Sequence, residues 1–222
     1  KSFKPKTKIN KKLNIKPIEQ FVKKSKRPII IIGNGIKISK SYKELYSLIN
    51  KYKIPYALTW ATADLYNSNN KLNIGSFGNY ATRHGNFAIQ NSDLLIILGC
   101  RMNGTQIGSN PKIFAPKAKK ILVDIDPAEL KEENGLKIDY KINSDLKPFV
   151  KSFAIYAKNF KIDNNWLNAI NNWKNTDYPQ DKLEWVIVDD SDSDQGLDDI
   201  LPKDPRIKYI RIEAPPRPRK VG

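Results

Sequence analysis

Cysteine and histidine are almost missing from the 222-residue chain: Cys100 and His84 are the single instances of each. One thiol cannot close an internal disulfide, which excludes a secreted, cross-linked scaffold and points to a reducing compartment, the cytoplasm. One His and one Cys also fall short of the roughly four N/S ligands of a structural zinc site. Long hydrophobic runs are lacking too; stretches such as Pro28 to Ile32 are strand-sized, against the roughly 18 to 20 apolar residues of a membrane-spanning helix. Acidic residues are scarce, 23 Asp and Glu against 39 Lys and Arg, for a formal charge of +16. What is plentiful is core material, since 40% of the residues are apolar, and the length suits one large or two small domains. The chain opens on Lys1 and closes on Val221-Gly222, and reads as a piece of something longer.

The positive charge is uneven. Residues 1–28 carry eleven basic side chains against Glu19 alone, whereas residues 180–222 carry ten acids against eight bases. A basic arm suits a polyanion such as nucleic acid. Lysine abounds throughout, however, and no Arg cluster, helix-turn-helix or zinc-finger spacing accompanies it, so nucleic acid is an unfavoured partner.

Periodicity sets the fold class. Lys1 to Lys16 reads as a polar linker, followed by a short helix over Ile18 to Lys26. Pro28 to Ile32 is an unbroken β-branched run ending in Gly33-Asn34-Gly35, the pattern of a strand buried on both faces of a parallel sheet. Ser39 to Tyr52 has helical spacing, and Ile54 to Thr59 reads as a second strand. His84 to Ser92 as helix, then strands over Asp93 to Gly99, Lys120 to Asp124 and Ile138 to Lys141, and a closing helix over Asp145 to Phe153, continue the alternation. The expectation is a doubly wound, mostly parallel α/β sheet with a short C-terminal α/β extension. That extension comprises a helix over Asn164 to Trp173, whose Trp166 and Trp173 make an apolar face with nothing assigned to cover it, and strands over Leu183 to Val188 and Arg206 to Ile212.

Ligands of such sheets lie at the carboxyl ends of the strands. Gly33, Asn34 and Gly35 hold part of a dinucleotide fingerprint, so phosphate contact and a plain turn both stay open. Arg83 and Gly85, with His84 at a helix start, suit an anionic cofactor or a capped turn. Asp124 and Asp126 end a strand, where carboxylates suit ribose hydroxyls. Cys100 reads as a packed thiol, His84 as a cap, and the four tryptophans as core or interface residues.

Arg27 to Gly35, Ile54-Pro55 with Thr59, Gly75 with Phe77-Gly78, Arg83 to Asn86, Ala88 to Leu95, Leu98 to Arg101, Phe114 to Pro116, and Val123 to Asp126 with Glu129 follow a recognisable order. In that order they resemble the central domain of thiamine-diphosphate-dependent enzymes of the acetolactate synthase type, across about residues 25–153. The resemblance implies a six-stranded Rossmann-like sheet of the DHS-like NAD/FAD-binding type, holding FAD or ADP structurally in some members. It carries cofactor contacts onto Gly33, Asn34, Gly35, Arg83, Gly85, Gly99, Arg101, Asp124 and Asp126. Thr59-Trp60-Ala61 and Gly78 to Arg83 depart from the strict flavin pattern, leaving FAD and ADP as alternatives. In that family catalysis needs flanking domains, one with an activating glutamate and one with a Gly-Asp-Gly motif for magnesium and diphosphate. This chain contains no Gly-Asp-Gly, so no catalytic residue is assigned, and thiamine diphosphate with Mg²⁺ is not expected to bind it alone.

A second stretch, Tyr178 to Ser191 and Leu201 to Ile210, resembles the early part of a family-2 glycosyltransferase of the GT-A fold. That resemblance implies Asp189 and Asp190 as nucleotide-sugar contacts, while Asp190, Asp192 and Asp194 are a candidate Mg²⁺ or Mn²⁺ cluster. The expected organisation is therefore a basic linker over 1–24, the central domain over 25–160, and a connecting helix with a partial glycosyltransferase-like segment over 161–222. Both parent families serve sugar metabolism in some members, so a sugar or glycan role joins the expectations. A nucleotide ligand, further copies of the chain and the missing catalytic domains are the expected partners.

Overall fold

The computed structural model describes residues 13, 15–131, 134–175, 185–189, 203, 205 and 207–211. They divide into two units, Lys1–Asn175 and Thr176–Gly222.

The first unit is a six-stranded sheet in the order β3-β2-β1-β4-β5-β6. Its strands are β1 (Pro28–Ile32), β2 (Tyr56–Leu58), β3 (Asn73–Ser76), β4 (Leu94–Leu98), β5 (Lys119–Asp124) and β6 (Tyr140–Asn143), and every adjacent pair is parallel. β1 and β4 are the central pair, in unbroken register from Pro28 opposite Leu94 to Ile32 opposite Leu98. All five residues of each are buried, as their uninterrupted apolar runs require, because a strand covered on both faces has no side on which a polar residue can meet water.

Alternate residues divide the core into two layers. Ile30, Ile32, Ile96 and Leu98 face a layer containing Ile18 and Val22 of α1 (Ile18–Lys24), Leu45 and Ile49 of α3 (Tyr42–Tyr52), and Phe149 and Phe153 of α7 (Leu146–Ala157). Ile29, Ile31, Leu95 and Ile97 face the other layer, with Ala88 and Ile89 of α4 (Arg83–Asn91), Leu130 of α6 (Pro127–Lys131), and Trp166 and Ile170 of α8 (Asn164–Asn175). Short helices α2 (Gly35–Ile38) and α5 (Gly104–Ile107) follow β1 and β4. The doubly wound α/β architecture read from the sequence is the observed one.

The differences lie at boundaries. The helix expected over Ser39 to Tyr52 is α3, which begins at Tyr42; Lys40, with a left-handed φ of 54°, separates it from the short α2 that ends at Ile38. β3 has no sequence signal: Asn73, Gly75 and Ser76 are poor strand formers, and the segment is extended because it pairs with β2 across an irregular register. α1 is not part of a free linker, since Ile15, Ile18 and Val22 are all buried in the core. At the other end, Trp166 and Ile170 are 4% and 2% exposed and pack with α4 residues, so the first unit extends through Asn175 rather than closing near 160. The face around Trp166 that the sequence leaves bare is covered.

In the second unit, β7 (Trp185–Asp189) and β8 (Ile207–Arg211) pair in parallel, with Asp189 opposite Arg211.

Candidate functional site

From β1 the chain builds outward to β2 and β3, and from β4 outward to β5 and β6. The β1–β4 boundary is therefore the switch point of the sheet, where loops leaving adjacent strands diverge. Gly33, Asn34 and Gly35 leave β1, Gly99 and Arg101 leave β4, and Asp124 and Asp126 leave β5. Seven of the nine expected positions thus share one edge across three neighbouring strands.

The glycines are accounted for by backbone packing. Gly33 N–H donates to Leu98 O at 2.9 Å and Gly35 N–H to Gly99 O at 3.1 Å. A Cβ on Gly33 would overlap the Gly99 carbonyl oxygen and stand 2.6 Å from Cys100 Cα. Gly99 is left-handed at φ +55°, and a Cβ there would lie 2.7 Å from Gly35 Cα. The missing side chains let one loop touch the other. Asn34 is exposed at the start of α2 and makes no side-chain cap.

The charged positions are held by local bonds. Arg101 Nε lies 2.6 Å from Glu129 Oε1 on α6, and the arginine side chain is 73% exposed. The salt bridge uses Nε and presents the rest of the guanidinium to solvent. Asp124 is buried, and its Oδ1 accepts from Asp126 N–H at 2.9 Å; Asp126 Oδ1 in turn accepts from Ala128 N–H at 2.9 Å. These carboxylates shape the β5–α6 turn and start the helix. Arg83 and Gly85 follow β3. Gly85 packs α4 against Ser76 of β3, where a Cβ would collide with the Ser76 carbonyl oxygen. Thr82, not His84, caps α4, its Oγ1 accepting from Gly85 N–H at 3.4 Å. Arg83 is exposed. Asn79 N–H bonds Thr105 O at 2.9 Å, so the loop after β3 reaches back to the loop after β4.

Two features of this edge are not legible in the sequence. Glu129 belongs to the motif order, but its pairing with Arg101 does not follow from that order. Trp60, two residues after β2, and Tyr80, after β3, are 65% and 75% exposed with ring centroids 5.8 Å apart. The position of Trp60 just beyond a buried strand is the available signal. Cys100, by contrast, is a packed thiol: it is buried beside Met102 Sδ and Gln106 Oε1. Burial pushes its pKa up to about 12, only partly opposed by the Gln106 contact, so it is not a nucleophile near neutral pH.

Among the described residues no group of three or more His, Cys, Asp or Glu side chains could hold a metal ion. Together with the missing Gly-Asp-Gly motif, this donor set does not fit Mg²⁺ and thiamine diphosphate. Asp190, Asp192 and Asp194 lie outside the described residues, and Asp189 ends β7. Among the described residues no helix is long and apolar enough to cross a membrane.

The switch-point architecture defines a doubly wound, Rossmann-like α/β domain. Residues 15–153 match the family model of the thiamine pyrophosphate enzyme central domain, and the chain belongs to that family. It is 33% identical over 179 residues to a probable acetolactate synthase large subunit of Methanocaldococcus jannaschii, covering 80% of this chain and 30% of that protein. It is 35% identical over 175 residues to the acetolactate synthase large subunit of Cyanidium caldarium, covering 75% and 29%. Against the isozyme 1 large subunit of Escherichia coli the identity is 32% over 117 residues, covering 53% and 20%. The chain thus spans about 30% of the length of the first two relatives.

Proposed function

We propose that this chain acts as the central, non-catalytic domain of an acetolactate synthase-like enzyme and is inactive in thiamine chemistry by itself. The observation that carries this reading is the match over residues 15–153 to a central domain in a chain without the Gly-Asp-Gly motif. The test is conversion of pyruvate to acetolactate by the purified chain supplied with thiamine diphosphate and Mg²⁺. Product formation above a heat-inactivated control would overturn it.

The nucleotide role belongs to the same proposal. Arg101, anchored through Nε by Glu129, would donate its outer N–H groups to a diphosphate, since a guanidinium can pair with phosphate oxygens through two N–H groups. Asp124 and Asp126, at the end of the neighbouring strand, are the groups for ribose. ADP, or the ADP half of FAD, is the expected ligand, bound structurally. Titration with each nucleotide, followed by melting temperature, checks this, because a ligand of the folded state raises it. Arg101→Ala should abolish the rise, whereas a flat response of the parent chain removes the nucleotide from the proposal. The single cysteine favours the cytoplasm.

The parallel β7–β8 pair with Asp189 at its carboxyl end supports a second reading, in which the C-terminal segment contacts a nucleotide sugar and ties the chain to glycan synthesis. Stabilisation by UDP-glucose with Mn²⁺, lost in Asp189→Asn, is its expected signature.

A further inference from the structure

The edge of the sheet opposite the switch point carries a basic pocket. It opens where β5 and β6 begin, between the segment 111–120 and the segment 135–139, and encloses about 260 Å³. Among the described residues five lysines line it, Lys112, Lys117, Lys119, Lys120 and Lys137, against one carboxylate, Asp139. We propose that this pocket binds a small, multiply charged anion of the phosphate class.

The carboxylate is already engaged. Asp139 Oδ1 accepts from Lys119 Nζ at 2.8 Å and Oδ2 accepts from the Lys120 N–H at 3.0 Å. Burial pushes its pKa up, but these two donors and the nearby Lys137 outweigh that and hold it below the usual carboxylate value. Asp139 therefore balances Lys119 and leaves Lys112, Lys117 and Lys137 as exposed cations around the opening.

Beneath them, Lys120 is only 4% exposed. Its ammonium donates to Ala115 O at 2.7 Å and Ala118 O at 3.1 Å. Two of its three protons are thus assigned by these bonds, and Ala118 and Lys120 both line the cavity. Burial of a lysine is costly unless something holds its charge, and an anion in the adjoining cavity would supply that charge.

Size and shape select the ligand class. A volume of about 260 Å³ falls just under the roughly 300 to 1,000 Å³ of drug-sized ligand pockets, and suits a diphosphate-sized molecule. An extended nucleic acid would instead need a stripe of cations along a surface; here the lysines converge on one concavity. Convergent cations also repel one another when the pocket is empty, so a multivalent anion gains more than a monovalent one.

Inorganic pyrophosphate is the probe, titrated calorimetrically into the full chain at low ionic strength. The expected result is one saturable site whose affinity falls with added NaCl and drops roughly tenfold or more in Lys112→Gln/Lys117→Gln/Lys137→Gln, about 1.4 kcal/mol or more. A control with the same charge change, Lys43→Gln/Lys147→Gln/Lys151→Gln on α3 and α7, should bind as the parent does. Amide signals of Lys117 to Lys120 and Leu136 to Lys137 should move, and those of Gly33 to Gly35 stay still. The proposal is overturned by absence of saturable binding, by equal weakening in both triple variants, or by shifts confined to Gly33 to Gly35. It is also overturned if a single-stranded oligonucleotide binds with length-dependent affinity that the pocket variant retains while pyrophosphate does not compete.

Discussion

Gly33 and Gly99 meet backbone to backbone where the loops leaving β1 and β4 cross: a Cβ on Gly33 would overlap the Gly99 carbonyl oxygen. Neither partner is the movable end of a side chain, so relief requires shifting a strand end in the middle of the sheet. Gly33→Ala should therefore destabilise the first unit by about 3 kcal/mol, the upper part of the range for overpacking a tight site. Gly104, where a Cβ would have nothing within 4 Å, is the control. Gly104→Ala should stay within about 0.5 to 1 kcal/mol of the parent, on the stabilising side. Urea midpoints for the two variants decide it, and similar values for both would refute the contact.

Asp93 ties the amino end of β4 to the entry of β1. Its carboxylate accepts from Ser25 Oγ at 2.5 Å, Lys26 N–H at 2.8 Å and Arg27 N–H at 3.0 Å. Ser25 is buried, and truncation of Asp93 strands donors that point at its carboxylate. Asp93→Ala should cost about 2 to 3 kcal/mol by urea unfolding. Asp93→Asn, which retains one acceptor oxygen, should recover part of that loss.

The strands that can be read from sequence are those whose burial is complete. Ile29 to Ile32 and Leu94 to Leu98 are apolar at every position, as a strand covered on both faces requires. β3 cannot be read, because Asn73 and Gly75 are extended only by virtue of pairing with β2. The role of α8 is hidden for a related reason: the spacing of Trp166 and Ile170 shows an apolar stripe but not that its cover is α4, some eighty residues earlier. At the candidate site, the positions of Gly33, Gly99 and Asp124 follow from strand ends. Their local work does not, since a glycine that admits phosphate and a glycine that admits a neighbouring backbone look alike in one dimension. The lysine pocket is invisible in the sequence because Lys112 to Lys120 and Lys137 become neighbours only when β5 and β6 pair.

Cys100 gives a pH-dependent prediction. Its thiol has a folded pKa raised to about 12 from 9.0, by burial. The folded state therefore holds this proton more tightly than the unfolded chain, so the associated stability is present below pH 9 and is lost progressively as the pH rises toward 12. In native buffer at about pH 8, a thiol reagent such as DTNB should react with the chain more slowly than with a free cysteine by at least about a hundredfold, and at full rate in concentrated guanidinium. Rapid native labelling would show that the thiol is accessible and the packing around Met102 and Gln106 open.

Trp166 decides where the first unit ends. Its side chain is 4% exposed and lies in the same layer as Ala88 and Ile89 of α4, far from α4 in sequence. Removing so large a buried group leaves a void that helices anchored on a sheet cannot fully close, so Trp166→Ala should lose about 3 to 5 kcal/mol. The same packing separates two shortened chains. A chain ending at residue 160 lacks α8 and uncovers the apolar flank of α4; it should melt at lower temperature and bind a hydrophobic dye. A chain ending at residue 175 keeps that cover and should melt as one cooperative transition without dye binding. Equal melting temperatures for the two would place α8 outside the cooperative unit and return the boundary to about residue 160.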